Sequence, residues 1–451
     1  MKTRLTFLNL QLLFLLLIYT WTAMQPTAQN VSQASEALAS ESLTLAEDTE
    51  VGLEIEARSP SGSWALPGAE AAALLVLVDG VYNQDLLLWA GDELFGYRVL
   101  LGRLSKGKHT LSVALNLPRS APRARRAEVK ALRPLPFATT SQSQDDAEDH
   151  FALAHSPVLY ARANTIDRFT DLPLLMYYEI LHEGANDLIV RYTVIFTNED
   201  GGTQTAALMA RWGRATDIEW VLQLRARAGR IIEETYQGVE HETKSFSGSR
   251  IAGSHPLLAT ASDNNNFSDL ACSAVRFAPL PTRARLETAT RESVMDAYPE
   301  SYRVMTEELI RERRISEMPA DINTIADPRE YLYIEATSEQ KGTTLAFDVK
   351  VAGRPGVFSS DMGNARLRID RSGNFRTAVR LPAGVSPAMV ENITARCHES
   401  AAPADKRGCN NMRLLRALTL DHNFVTRPLP FQPQPESSLA AGEIKVFKLK
   451  P

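Results

Sequence analysis

Residues 105–115 read SKGKHTLSVAL. Ser105-Lys106-Gly107-Lys108 is a turn, and behind it Leu111, Val113 and Leu115 alternate with polar or small residues. That is the two-residue period of a half-buried strand, so the stretch reads as one arm of a β-hairpin. Working outward, Leu74–Val78 is an apolar run closed by Asp79-Gly80, a two-residue hairpin signal, and strands follow at Leu86–Trp89 and Tyr97–Leu101. Short strands at this spacing predict a small β-sandwich. The pattern returns in DLIVRYTVIF (187–196) and again over 330–396, where Leu367/Ile369 and Phe375/Val379 alternate. A proline-rich extended tail then leads to EIKVFKLK (443–450), a final edge strand. The best helix is Pro299 to Arg314, with proline in the first turn and Tyr302, Met305 and Leu309 at helical spacing. The expected fold is mainly β, a multi-domain β-sandwich or jelly-roll-like architecture with one or two helices near 286–314.

The chain has 451 residues, more than one hydrophobic core organises. The expected division is a signal peptide (1–28), a linker (29–43), an N-terminal accessory β-sandwich (44–137), a second linker (138–150), a central β-rich domain (151–318) and a C-terminal sandwich-like domain (319–451). Lys2 and Arg4 ahead of the apolar run Phe7–Tyr19, with Thr27-Ala28-Gln29 as cleavage site, are the marks of export. The expected location is therefore secreted or periplasmic, with no membrane span after signal removal. A net charge of −5 argues against a nucleic-acid partner, and the basic run Arg119–Lys130 reads as a solvated loop. Of the three cysteines, Cys397 and Cys409 flank a short polar loop and are the expected disulfide, leaving Cys272 as a small buried hydrophobe. Trp64, Tyr82 and Trp89 are expected in the core rather than on a sugar platform.

The chemistry concentrates in RWGRATDIEW (211–220), just after the turn Asn198-Glu199-Asp200-Gly201-Gly202. Read as a strand, 217–225 places Ile218, Trp220, Leu222 and Leu224 on a core face and Asp217, Glu219, Val221, Gln223 and Arg225 on the other. The two carboxylates then sit side by side, with Cα atoms about 6.5–7 Å apart. Carboxyl pairs at such distances serve general acid/base chemistry, and each raises the pKa of the other. A solvated strand face is the competing reading. Candidate catalytic residues are Asp217 and Glu219 with His241 or His255 assisting, and Trp212, Arg214, Trp220 and Tyr236 are candidate substrate contacts. Asp263, Asn265 and Asp269 place oxygen donors at i, i+2 and i+6, which makes Ca²⁺ the candidate cofactor. His155, His182, His241 and His255 show no zinc spacing.

Three resemblances accompany this reading. KGKHTLSV resembles a hairpin of accessory β-sandwiches in secreted carbohydrate-active proteins. TDIEW is similar to the catalytic strand of laminarinase-type jelly-roll glycosidases, with Asp217 and Glu219 at that family's middle Asp and last Glu and Ala215 at its first Glu. Residues 155–269 resemble the vacuolar-protein-sorting sixty-two-like family through SPVLYAR, GRATDIEWV, HETKSF and HPLLATASDNNNFSD. That matching carries over Glu219, His241, His255 and Pro256, and implies a β-sandwich but no reaction. The functional expectation is a secreted glycan-directed protein, a polysaccharide hydrolase or lyase with a polysaccharide as partner. The alternative is a non-catalytic secreted binding or envelope-associated β-sandwich. Oligomeric state is not legible in the sequence.

Overall fold

Asp79 and Gly80 both take left-handed backbone, with φ of 52° and 77°, as a two-residue turn matching the twist of its strands demands. They join the antiparallel strands Ala73–Val78 and Val81–Leu87; the turn lies where the sequence predicts it, but the second strand starts at Val81 rather than at Leu86. The structure is a computed structural model that describes residues 36–137, 143–162, 165, 168–184, 186–199, 201–270, 273–319, 321–400, 407–431 and 435–449. The predicted signal peptide and Cys272 lie outside the described residues. The fold is mainly β, built of antiparallel-rich sheets packed in pairs.

The first pair sets Ala37–Leu45, Gly107–Leu115, Ala73–Val78 and Val81–Leu87 in one sheet and Phe95–Leu104, Thr49–Arg58 and Glu128–Pro136 in the other. Val51, Leu53, Ile55, Val76, Leu111 and Val113, each fully buried, share the core between them. Two expectations need correcting here. The turn at Ser105 is not a hairpin: the strands on either side of it lie in different sheets, and it carries the chain across the sandwich. The second half of the predicted linker 29–43 is strand Ala37–Leu45, an edge strand that is polar because most of it faces water. Trp64 and Trp89 are buried as expected.

His109 closes the Ser105 crossing, with Nδ1 2.7 Å from Asp79 Oδ2 and Nε2 2.7 Å from the Ser105 carbonyl. The carbonyl and the carboxylate raise its pKa above the ordinary imidazole value. A raised folded-state pKa gives stability that is complete below about pH 6.5 and fades as pH climbs through the higher folded value. Calorimetric melting across that window should therefore fall more steeply for the wild type than for His109→Gln.

The last pair sets Gly373–Arg380, Tyr331–Lys341, Gly408–Leu420 and Thr426–Pro428 against Phe358–Ser359, Thr343–Val351, Val390–Glu399 and Ile444–Lys448. Ile444–Lys448 is the edge strand the sequence predicts. Cys397 and Cys409 form a disulfide, and because their strands belong to opposite sheets the bond staples the two layers. Closing a 12-residue separation stabilises by about 3 kcal/mol in the loop-entropy picture. The double change Cys397→Ser, Cys409→Ser should lower the denaturant midpoint accordingly, with reductant reproducing the shift in the wild type only.

Between these pairs, a six-stranded sheet runs Thr243–Ser245, Arg230–Gln237, Ile218–Arg227, Asp187–Phe196, Pro173–Glu183, Thr282–Arg283. One face packs on a smaller sheet that includes His255–Thr260 and Val158–Tyr160, sharing a core of Tyr192, Val194, Leu222, Leu224, Leu258 and Phe267. The other face packs, through Tyr177 and Ile218, on helices Thr205–Trp212 and Pro299–Arg311 and on Tyr331, Tyr333 and Leu418 of the last pair. Helix 299–311 starts at Pro299 and buries Tyr302, Met305 and Leu309 completely, as the spacing predicts. The described part of the predicted linker 138–150 is instead the start of helix Gln144–Ala154, capped by the Ser143 hydroxyl on the Asp146 amide. Its acidic first turn, which reads as linker composition, is favourable at a helix N-terminus. Among the described residues no helix is long and apolar enough to cross a membrane.

Candidate functional site

Strand Ile218–Arg227 does not alternate as the sequence reading assumes. Its register to Asp187–Phe196 slips between Leu222, opposite Tyr192, and Trp220, opposite Thr193, so Val221 is an extra, bulged residue. A bulge shifts the pleat by one. Ile218 therefore packs with Tyr177 and Ile195, while Leu222 and Leu224 enter the core on the opposite face. Trp220 is only half-buried. The pairing that matters survives, because Asp217 and Glu219 lie before the slip, close enough for Glu219 to raise the Asp217 pKa.

Three loops bring further groups to this pair. Helix 205–212 stops at Gly213, whose φ of 63° makes the left-handed cap. The chain then runs through Arg214 to Asp217, whose carbonyl accepts from the Phe196 amide at 2.9 Å. Glu199 follows that same strand; its amide donates to the Ala215 carbonyl at 3.2 Å and its Oε1 accepts from the Thr203 amide at 2.7 Å. Gly202, at φ 90°, lets loop 199–203 lie against loop 263–266: a Cβ there would stand 2.8 Å from Asn264 Oδ1. From the second loop Asn265 donates through Nδ2 to Asp217 Oδ2 and to Asp171 Oδ1, both at 3.0 Å, while its own Oδ1 is buried without a partner among the described residues.

On the solvent side, Gln237 donates to Glu219 Oε2 and sits 2.8 Å from His241 Nδ1. His241 Nδ1 is 3.8 Å from Glu219 Oε2, its Nε2 is 2.8 Å from Asn264 Nδ2, and half its side chain is exposed. Asp171, Glu240, His241 and Asn265 all hold left-handed backbone, with φ from 49° to 62°. Such strain in non-glycine residues collects at functional sites.

The electrostatics follow from burial. Asp217 is 1% exposed and Glu199 6%. Burial and the neighbouring Glu219 push Asp217 up to about 7, and burial with Asp217 nearby does the same for Glu199, to about 7. Arg214 opposes both shifts but is outweighed, being also bound to Glu292 at 3.3 Å. Two acids here are thus near half-protonation at neutral pH, next to a carboxylate and an exposed imidazole. That is the equipment of a proton donor and acceptor.

Of the other predicted residues, His255 is elsewhere. It is 1% exposed and bridges the Ser156 carbonyl (2.9 Å) to Glu50 (3.1 Å) of the first sandwich. His155 and His182 are apart too, near the Phe151 carbonyl and Glu148. The three calcium candidates are not gathered: Asp263 pairs with Arg162, Asn265 binds Asp171 and Asp217, and Asp269 takes Tyr236 and Ser247. No group of three or more His, Cys, Asp or Glu side chains among the described residues has metal-holding geometry. Arg214 and Tyr236 are buried, and Trp212 is half-buried, with the guanidinium groups of Arg211 and Arg371 4.5 and 5.0 Å from its ring centroid. Sequence reasoning missed Glu199, Asp171 and Gln237. Glu199 was visible only as part of a turn, and nothing local marks the other two. No family model matches this chain, and no curated protein matches it.

Proposed function

We propose that this is an exported, glycan-directed enzyme, a polysaccharide hydrolase or lyase, whose proton-transfer centre is Asp217–Glu219 with Glu199 and His241. The observation that carries this reading is the buried Asp217 carboxyl, its pKa raised by burial and by neighbouring Glu219, with Gln237 and the solvent-facing imidazole of His241 gathered on Glu219. Carboxyls on neighbouring positions of one strand titrate as a coupled unit, unlike a glycosidase pair set roughly 5–9.5 Å apart across the scissile bond. In this reading Asp217–Glu219 supplies one acid/base, and Glu199 or His241 supplies the second. Export is supported by the charged and apolar N-terminal sequence and by the disulfide. Glycan direction is supported by the stacked β-sandwiches and by the resemblances of KGKHTLSV and TDIEW.

The near-complete burial of Asp217, with Asn265 donating to its carboxyl, favours a second reading, a non-catalytic binding protein with a polar structural core. A product screen separates the two. The purified mature chain is incubated with neutral and uronate-containing polysaccharides, with calcium and with chelator. New reducing ends alone identify a hydrolase, and reducing ends with an unsaturated uronate identify a lyase. No product on any substrate, with a glycan retained on the protein, favours the binding reading.

A further inference from the structure

We propose that a cavity whose lining includes neither Asp217 nor Glu219 binds a small organic amine, an apolar body carrying one cationic end. Its volume is about 520 Å³, within the roughly 300–1,000 Å³ of small-molecule sites. It opens between strand 95–104 of the first sandwich, strand 173–183 of the central sheet, the segment 277–282 and the start of helix 299–311. One wall is aromatic: Trp89, Phe95 and Tyr97 pack on one another with ring centroids 4.7 to 5.7 Å apart. Leu175, Phe277 and Pro279 face them.

The charges select the ligand. Of the charged residues lining the cavity, Glu54 is held by Arg98 at 2.8 Å and Arg133 at 2.7 Å. Asp85 accepts from the Tyr82 hydroxyl and from Asn116 at 2.7 Å. Glu300, half-buried in the first turn of helix 299–311, has no ion-pair or hydrogen-bond partner among the described residues. Arg303, one helical turn on, points instead to Glu93 at 2.7 Å and the Ala90 carbonyl at 2.8 Å. The cavity therefore presents an apolar, aromatic wall and one unmatched negative charge. An ammonium group answers that charge and is attracted to aromatic faces, while the body takes the apolar space. A sugar has too many hydroxyls for so few free polar groups.

The test uses the full chain, with phenethylamine and its uncharged counterpart phenethyl alcohol as probes, read by calorimetry and by tryptophan fluorescence. Two variants accompany the wild type. Glu300→Gln removes the charge. Gly96→Phe fills the rim beside Glu54, where a Cβ meets nothing closer than 3.8 Å. The amine should bind the wild type saturably, bind Glu300→Gln about tenfold more weakly and fail to bind Gly96→Phe, with all three proteins melting alike. Asp217→Asn should bind it as the wild type does, so this result stands or falls apart from the glycan reading. Equal binding of amine and alcohol, unchanged binding to Glu300→Gln, or no saturable binding of the amine overturns the proposal.

Discussion

Replacing Arg376 by methionine is expected to destabilise the protein by about 3–5 kcal/mol, the cost of stranding buried carboxylates. The side chain is fully buried. It donates to Glu335 Oε1 at 2.6 and 2.9 Å and to Asp296 Oδ2 at 2.8 Å. Burial alone would raise the Glu335 pKa, yet Arg376 and Arg416 together lower it. A depressed folded-state pKa gives stability that is present above the ordinary carboxylate value and lost as pH falls through the lower one. Without Arg376, the one cation paired with both carboxylates among the described residues is Arg416, whose side chain is 33% exposed. The damage should extend to the candidate site, because Arg376 packs on Gly213, where the chain turns from helix 205–212 towards Asp217: a Cβ on Gly213 would lie 2.7 Å from Arg376 Cγ. Urea unfolding of Arg376→Met, Glu335→Gln and the double variant checks this. The double should be more stable than the sum of the singles, because removing both partners strands less charge.

The second large effect is a pair of opposite changes in one variant. Asp217→Asn should cut turnover on the responsive glycan by about 10²–10⁴-fold, the usual worth of a positioned acid or base. The same variant should be more stable than the wild type at neutral pH. Asp217 titrates at about 7 in the fold against about 3.9 in an unfolded chain. A raised acid pKa stabilises fully below the unfolded value and loses that stabilisation as pH rises through the folded one. At pH 8 the wild type therefore holds a charge the fold resists, and Asn removes it while keeping an oxygen for the Asn265 amide. A gain of about 1–3 kcal/mol is expected, read as a melting-temperature difference that opens between about pH 4 and 7 and stays open above. Strain that is relieved by an inactivating change is a mark of a functional site.

Much of the fold was legible because it rests on local periodicity. Leu111 and Val113, the Asp79-Gly80 turn and the Tyr302, Met305, Leu309 stripe all speak through neighbours in sequence. Which sheet a strand joins is not local, so the Ser105 turn looks the same whether its strands pair or part. The Val221 bulge has no residue signature, and one extra residue moved Leu222 and Leu224 to the far face. Polar composition misled at 37–43 and 144–150, where an exposed edge strand and an acidic helix start use the residues of a linker. At the site, Asp217, Glu219 and His241 were found because two of them are adjacent on one strand. Glu199, Asp171 and Asn265 arrive from loops 18 to 94 residues from their partners, and only the fold brings them together. His255 was drawn in by its segment and proves to hold the first sandwich to the central sheets.

The central claim is that the proton of the coupled Asp217–Glu219 pair is used in turnover. Its most direct measurement is the pH dependence of kcat/KM on the responsive glycan for the wild type, Asp217→Asn and Glu219→Gln, each verified as folded by near-ultraviolet circular dichroism. The account predicts a wild-type profile with a limb near pH 7 that disappears in both variants, along with nearly all of the rate. Wild-type rates and an unchanged pH limb in both variants would contradict it, and leave the pair as a buried polar knot of the sandwich.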